Sequence, residues 1–183
     1  LGEEHNDFRA AVADFAARDL APHVERWNAA HEAPLEAIKL MADLGLFGLG
    51  GPEEYGGAGD FTSLCIAIEE IGKVDQSLGI TLEAAVGLGI NPIAHFGTAE
   101  QKARWLPDLC AGRALAAFGL TEPEAGSDAG ATRTRAVRRD RKWVINGSKQ
   151  FITNSGTDIT LLCTVTARTG TRDNGKPEIS AII

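Results

Sequence analysis

The sequence predicts an α+β chain: an all-helical first part, residues 1–117, and then the opening portion of an antiparallel β-domain, residues 118–183. Three observations predict it. Apolar residues recur at spacings of three and four through the first part, the helical period. After Phe118 the period becomes two, the strand period. The Asn-Gly pairs, strong hairpin signals, lie in the second part at Asn146-Gly147 and Asn174-Gly175.

The elements follow in order. In "NDFRAAVADFAARDLAP" the residues Phe8, Ala11, Val12, Phe15 and Ala16 form one helical face, and Pro22 ends the pattern. Pro34 opens a second helix carrying Leu35, Ile38, Met41, Ala42 and Leu44, with Gly45 as its stop. The segment Gly45–Asp60, "GLFGLGGPEEYGGAGD", is too rich in glycine for a helix and reads as a loop. It is not a dinucleotide fingerprint: Glu53 stands where the third glycine belongs, and no strand precedes it. Leu64, Ile68, Ile71, Leu78, Leu82 and Val86 mark two or more buried helices. A capping box, Thr98 with Gln101, starts the last helix, which points Leu106 and Leu109 inward and stops at Gly112. In the second part, "KWVING" and "SKQFIT" read as a hairpin about Asn146-Gly147. "DITLLCTVTAR" is a third strand, and "EISAII" a fourth after a turn at Asn174-Gly175.

Composition excludes several classes. At 44% hydrophobic, the 183 residues can build a core. A formal net charge of −7 argues against a nucleic-acid partner, and the basic run Arg133–Lys142 reads as a solvated strand and turn. No uninterrupted apolar run suggests a membrane span, and the polar start "LGEEHNDF" is no secretory signal. Cys65, Cys110 and Cys163 are odd in number and widely spaced, as in a cytoplasmic protein with reduced thiols. His5, His23, His31 and His95 show no metal spacing, so no metal is expected. The Leu start and the apolar terminal strand suggest a piece of a longer chain.

The chemistry concentrates in "FGLTEPEAGSD", Phe118–Asp128, and in "SKQFITNSG", Ser148–Gly156. Thr121, Ser127 and Thr153 carry hydroxyls that donate and accept. The backbone about Ala125, Gly126 and Ser127 is unobstructed enough to offer N–H groups to an anion such as a pyrophosphate. Phe118, Trp143 and Phe151 supply aromatic surface for a flat ring. From the pattern alone, a planar phosphate-bearing ligand and a structural turn with capping hydroxyls explain these residues equally well.

"LTEPEAGSD" followed by "WVINGSKQFITNSG" resembles the paired signature of the acyl-CoA dehydrogenase family. "LGLFGLGGPEEYGG" resembles that family's early loop, and "GTAEQKARWLPDLCAG" its last N-terminal helix. The resemblance runs in consistent order from the first helix to the last residue. It implies an FAD-dependent enzyme that oxidises an acyl-CoA thioester to the 2,3-enoyl-CoA. It implies flavin contacts at Phe118, Leu120, Thr121, Gly126, Ser127, Phe151, Ile152 and Thr153. It implies substrate contacts at Ser127 and along an acyl pocket at Ile80, Ala84 and Leu88, residues that ordinary core packing also explains. The family often has Trp where Phe151 stands; Phe keeps the packing face and lacks the indole donor. The catalytic Glu of the family comes from a C-terminal helical domain, absent here, so no catalytic base is assigned; Glu122 and Asp128 read as structural. The resemblance further implies a homotetramer and an electron-transfer flavoprotein as acceptor. An acyl-CoA oxidase and a non-catalytic fragment or subunit are the alternatives.

Overall fold

The computed structural model describes residues 1–183. The helical part begins with α1 (Glu3–Phe15), whose first turn carries Glu3 and Glu4 at the positive end of the helix dipole. Pro22 does not end the helical path. A π turn, Ala16–Leu20, and a 3-10 turn, Ala21–His23, carry the chain into α2 (Val24–Ala30). Pro22 falls in the first turn of that new segment, where a missing N–H leaves no bond unmade. In α3 (Leu35–Asp43) the buried face is Ala37, Ile38 and Met41, while Leu35 and Leu44 lie exposed at its ends.

The glycine-rich segment folds back on itself through two 3-10 turns, Leu46–Gly48 and Glu53–Tyr55. A Cβ at Gly57 would lie 2.1 Å from the Gly51 carbonyl oxygen, so two backbone stretches cross where no side chain fits. The glycines of this loop serve its own packing, with Leu46 and Phe47 driven into the core.

Asp60 caps α4 (Phe61–Val74) by accepting from the Ser63 N–H at 2.7 Å, and Asp75 caps α5 (Gln76–Glu83) by accepting from the Ser77 N–H at 2.7 Å. α5 continues through a π segment, Ala84–Ile90, into α6 (Asn91–Phe96). This corrects the sequence expectation about membrane spans. Gln76–Phe96 is one helix of 21 residues, apolar and long enough to cross a membrane by length and composition. Half of its most apolar window is buried inside the protein, where Leu78, Leu82, Val86, Ile90 and Ile93 join the core. The Thr98–Gln101 capping box forms at the start of α7 (Ala99–Cys110), whose Leu106 and Leu109 are buried.

The sheet contains β1 (Leu115–Gly119), β2 (Arg135–Arg139), β3 (Lys142–Asn146), β4 (Thr160–Thr171) and β5 (Pro177–Ile182). It is mixed, not antiparallel throughout. β1 runs parallel to β4, with Leu115 opposite Thr160 and Gly119 opposite Val165; β2 meets β4 in parallel at Arg135 and Arg168. β2–β3 and β4–β5 are antiparallel. Only strands adjacent in sequence can close a tight hairpin. β1 and β4 are separated by the excursion through residues 120–159, which returns the chain to the same end of the sheet.

The hairpin expected at Asn146-Gly147 is not formed. β3 ends at Asn146 and the chain leaves the sheet, while the true turn is Asp140-Arg141, with Asp140 at φ 55. Gly147 is there for close approach: a Cβ would sit 2.2 Å from the Thr134 Oγ1. The Asn174-Gly175 turn does join β4 to β5. On β4 the threonine face is the inner one, with Thr164 and Thr166 buried; Ala167, on the opposite face, is buried too.

Leu115 and Ala116 seat the sheet on the helices. A Cβ at Gly89, in the π segment, would approach the Ala116 Cβ to 2.7 Å, so helix and strand touch through small residues. The end of β1 therefore emerges at the helix–sheet junction.

Candidate functional site

Two stretches meet at that junction. β1 delivers half-buried Phe118, then Leu120, exposed at the strand end, and half-buried Thr121. The second stretch, Ser148–Ser155, returns from β3 and lies beside the first. The Gln150 N–H donates to the Thr121 carbonyl at 2.9 Å, and the Gln150 side-chain amide donates to the Glu122 carbonyl at 3.3 Å. Leu120–Thr121 and Phe151–Thr153 become neighbours although the β2–β3 hairpin separates them in sequence.

Reciprocal backbone bonds between Glu122 and Ala125, at 3.0 and 3.2 Å, tighten the turn that presents Gly126 and Ser127 to solvent. A Cβ at Gly126 would meet nothing within 4 Å. Unlike Gly57 and Gly147, this glycine is not demanded by the fold around it. Phe151 is 85% exposed and sits at φ 57, the left-handed region disfavoured for a bulky residue. Ile152 and Thr153 are half-buried, and the Ser155 hydroxyl donates to the Ile152 carbonyl at 2.6 Å.

Beneath both stretches lies an ion pair. Lys149 Nζ donates to Glu122 Oε1 at 2.8 Å, with side chains only 10% and 5% exposed. The same carboxylate accepts from the Thr132 hydroxyl at 2.9 Å and from the backbone N–H groups of Arg133 at 2.6 Å and Thr134 at 3.0 Å. Burial opposes ionisation, but Lys149 and these donors outweigh it and hold the Glu122 carboxyl far below the ordinary carboxylate range. A carboxylate so engaged is no proton acceptor for catalysis. Glu124 pairs with Arg133, and Asp128 is exposed. No group of three His, Cys, Asp or Glu side chains is placed to hold a metal ion.

Of the acyl-pocket positions, Ile80 and Leu88 are exposed, while Ala84 between them is buried at the start of the π segment. Asn154 ties this helix to the second stretch through the carbonyl of Thr81, which follows Ile80. The structure thus brings Phe118, Leu120, Thr121, Phe151, Ile152 and Thr153 to one junction and links it to the Ile80–Leu88 helix. No hydrogen bond joins Ser127 to that helix. Trp143, on the exposed strand β3, instead lines a separate cavity of about 450 Å³ with Phe96, Gln101 and Ile182. Lys149, Gln150 and Asn154 went unrecognised in the sequence. Nothing local marks them: each acts through a partner more than 25 residues away.

The arrangement is an open ledge rather than a closed cavity. It offers a flat apolar surface, half-buried threonine hydroxyls and a turn of small residues with free backbone. Those features suit a planar ring carrying a phosphate tail.

Comparison with known proteins defines the class. The family model for the N-terminal domain of acyl-CoA dehydrogenase matches residues 2–113, and that for the middle domain matches residues 117–183. The chain belongs to the acyl-CoA dehydrogenase family. It is 47% identical over 184 aligned positions to a probable acyl-CoA dehydrogenase of Bacillus subtilis, covering 100% of this chain and 48% of that protein. The structure of butyryl-CoA dehydrogenase from Megasphaera elsdenii matches with a TM-score of 0.87 at 38% identity, over 99% of this chain and 48% of the other. An acyl-CoA dehydrogenase from Bacillus anthracis, complexed with FAD, matches with a TM-score of 0.84 at 34% identity, over 99% of this chain and 31% of the other. The chain spans about half the length, or less, of these relatives.

Proposed function

We propose that the protein is an FAD-dependent acyl-CoA dehydrogenase that introduces a double bond between C2 and C3 of an acyl-CoA thioester. The observation that carries this is the ledge itself. A large aromatic, Phe151, stands out of the core on a strained backbone beside Leu120 and the open Gly126 turn. The family relationship supplies the ligand that fits it.

The residues present fit FAD: Gly126 faces open space, where a Cβ would meet nothing within 4 Å, so the turn's backbone is open to approach, and the donors there are neutral hydroxyls and backbone N–H groups. Phe118, Leu120, Thr121, Phe151, Ile152 and Thr153 would hold the ring, and Gly126 with Ser127 the pyrophosphate. When bound, FAD supplies the two-electron acceptor for the desaturation. The chain's own contribution is position. Phe151 and Leu120 present apolar surface that excludes water, while the Thr121 and Thr153 hydroxyls orient polar ring atoms. Ser127 would also touch the CoA portion. Ile80 and Leu88 would line the acyl path, with small Ala84 leaving room between them. The proton acceptor is a Glu from the C-terminal helical domain of the whole protein, consistent with Glu122 being fully engaged here.

Family membership also supports a homotetramer and an electron-transfer flavoprotein as electron acceptor. Three free cysteines support a cytoplasmic location. The test is the visible spectrum of the purified whole protein, followed during anaerobic addition of acyl-CoA. A flavin spectrum that bleaches supports the proposal, whereas a colourless protein refutes it. A bleached flavin that recovers rapidly in air with peroxide release would move the reading to an oxidase.

A further inference from the structure

Four oxygens from three separate parts of the fold converge on one buried ammonium. Lys149 Nζ lies 2.9 Å from the Leu120 carbonyl, 2.8 Å from Glu122 Oε1, 3.1 Å from the Thr132 hydroxyl and 3.0 Å from the Thr166 hydroxyl. Leu120 and Glu122 flank Thr121 in the first stretch of the ledge. Lys149 itself stands two residues before Phe151 in the second. Thr166 belongs to the buried face of β4 and also reaches the Gly119 carbonyl at 3.3 Å. One side chain therefore references both stretches to each other and to the sheet.

Stability alone does not account for this arrangement. A buried ion pair replaced by apolar groups of similar volume commonly leaves stability unchanged or raised, because desolvation offsets the Coulomb attraction. What the pair provides that an apolar pair does not is direction. Charge-assisted bonds are short and oriented. The bond from Lys149 to the Leu120 carbonyl fixes the plane of the Leu120–Thr121 peptide. The bond to Glu122 fixes where the chain turns toward Gly126, and the Lys149 backbone fixes where Phe151 begins.

We infer that Lys149, locked by Glu122, is the positioning residue of the flavin ledge, holding Leu120–Thr121 and Phe151–Thr153 as a single surface. It touches neither flavin nor substrate and acts through the two stretches that do. The inference rests on the flavin reading above.

The test uses the whole protein stripped of flavin. Flavin affinity is measured by fluorescence titration, the bound flavin by the fine structure of its visible band, and the fold by thermal melting. Lys149→Met alone leaves a buried carboxylate unpaired and lowers both stability and affinity. Lys149→Met combined with Glu122→Gln removes both charges and keeps an acceptor for Thr132 and the Thr134 N–H, at the loss of the acceptor for the Arg133 N–H. The expected result is a melting temperature above that of Lys149→Met alone, with flavin bound at least tenfold more weakly than by the wild type and a blurred visible band. Wild-type affinity and band shape in that double variant would overturn the inference, leaving a purely structural pair. If the double variant fails to fold, Lys149→Arg decides. It keeps the charge but cannot place a planar guanidinium among the same four oxygens. A folded Lys149→Arg protein with flavin bound severalfold more weakly supports the inference, and one with wild-type affinity overturns it. A wild-type protein that takes up no flavin sinks the flavin reading itself and the clamp with it, an outcome distinct from either variant result.

Discussion

The side-chain amide of Asn154 donates to the backbone carbonyl of Thr81 at 3.0 Å, joining the stretch that follows Phe151 to the helix α5. Asn154 adopts φ 66, a left-handed conformation that Asn tolerates better than most residues. Asn154→Ala removes the bond, worth about 1 kcal/mol, and puts Ala in a conformation that costs about 1 kcal/mol more. Urea unfolding is expected to show a loss of about 2 kcal/mol, and Asn154→Gly should lose less because it relieves the backbone. Equal losses in the two variants would show that the backbone contributes nothing.

Two glycines should respond in opposite ways. Gly57 faces the Gly51 backbone at a distance no Cβ tolerates, while Gly126 faces open space. Gly57→Ala is expected to destabilise by several kcal/mol, in the range of overpacked cores. Gly126→Ala should leave the melting temperature within a degree or two of wild type, while weakening flavin binding at least severalfold in the titration. A Gly126→Ala protein with unchanged flavin affinity would remove that turn from the proposed site.

The capping box of α7 is a local feature with a local cost. Thr98 Oγ1 accepts from the Gln101 N–H at 3.2 Å, and Gln101 Oε1 accepts from the Thr98 N–H at 2.9 Å. Thr98→Ala is expected to cost about 1 kcal/mol in urea unfolding without changing the unfolding slope. Flavin affinity should not change, because α7 contributes no residue to the ledge. A change in affinity at constant stability would show that α7 reaches the site.

The Glu122 carboxyl gives a pH dependence of definite sign. Its value in the folded protein lies below that in the unfolded chain, so the unfolded chain takes up the proton first as pH falls. The stabilisation is complete above the unfolded carboxylate value and is lost progressively as pH drops toward the folded one. Between about pH 6 and about pH 3, wild-type stability should fall more steeply than that of Glu122→Gln. Asp60, Glu69 and Glu70 are shifted downward too, but they are common to both proteins and cancel in the comparison. Parallel curves would mean that Glu122 is not ionised in the pair.

Much of the helical part was legible because its signals are local. The capping box, the α3 start at Pro34 and the buried positions Leu64, Leu78, Leu82 and Val86 follow from spacing and from residues three or four apart. Pro22 misled because proline ends one helix and starts another equally well. Asn146-Gly147 misled because glycine also answers close approach, here to Thr134, which sequence spacing does not reveal. The parallel pairing of β1 with β4 was illegible for the same reason: each strand's alternation is identical whichever direction its neighbour runs.

The sequence by itself determined most of the helices, the strands β3, β4 and β5, the two motif stretches that point to a flavin and the family to which they belong. Those depend on residue type and short spacing. It did not reveal β1, which begins at Leu115 inside the part read as helical. The tertiary structure alone decided that Leu120–Thr121 lies beside Phe151–Thr153, that Lys149 and Glu122 meet beneath them, and that Asn154 reaches Thr81. These contacts join segments far apart in the chain. Their geometry is fixed by the mixed sheet seating Ala116 against Gly89, a packing constraint that no local pattern encodes.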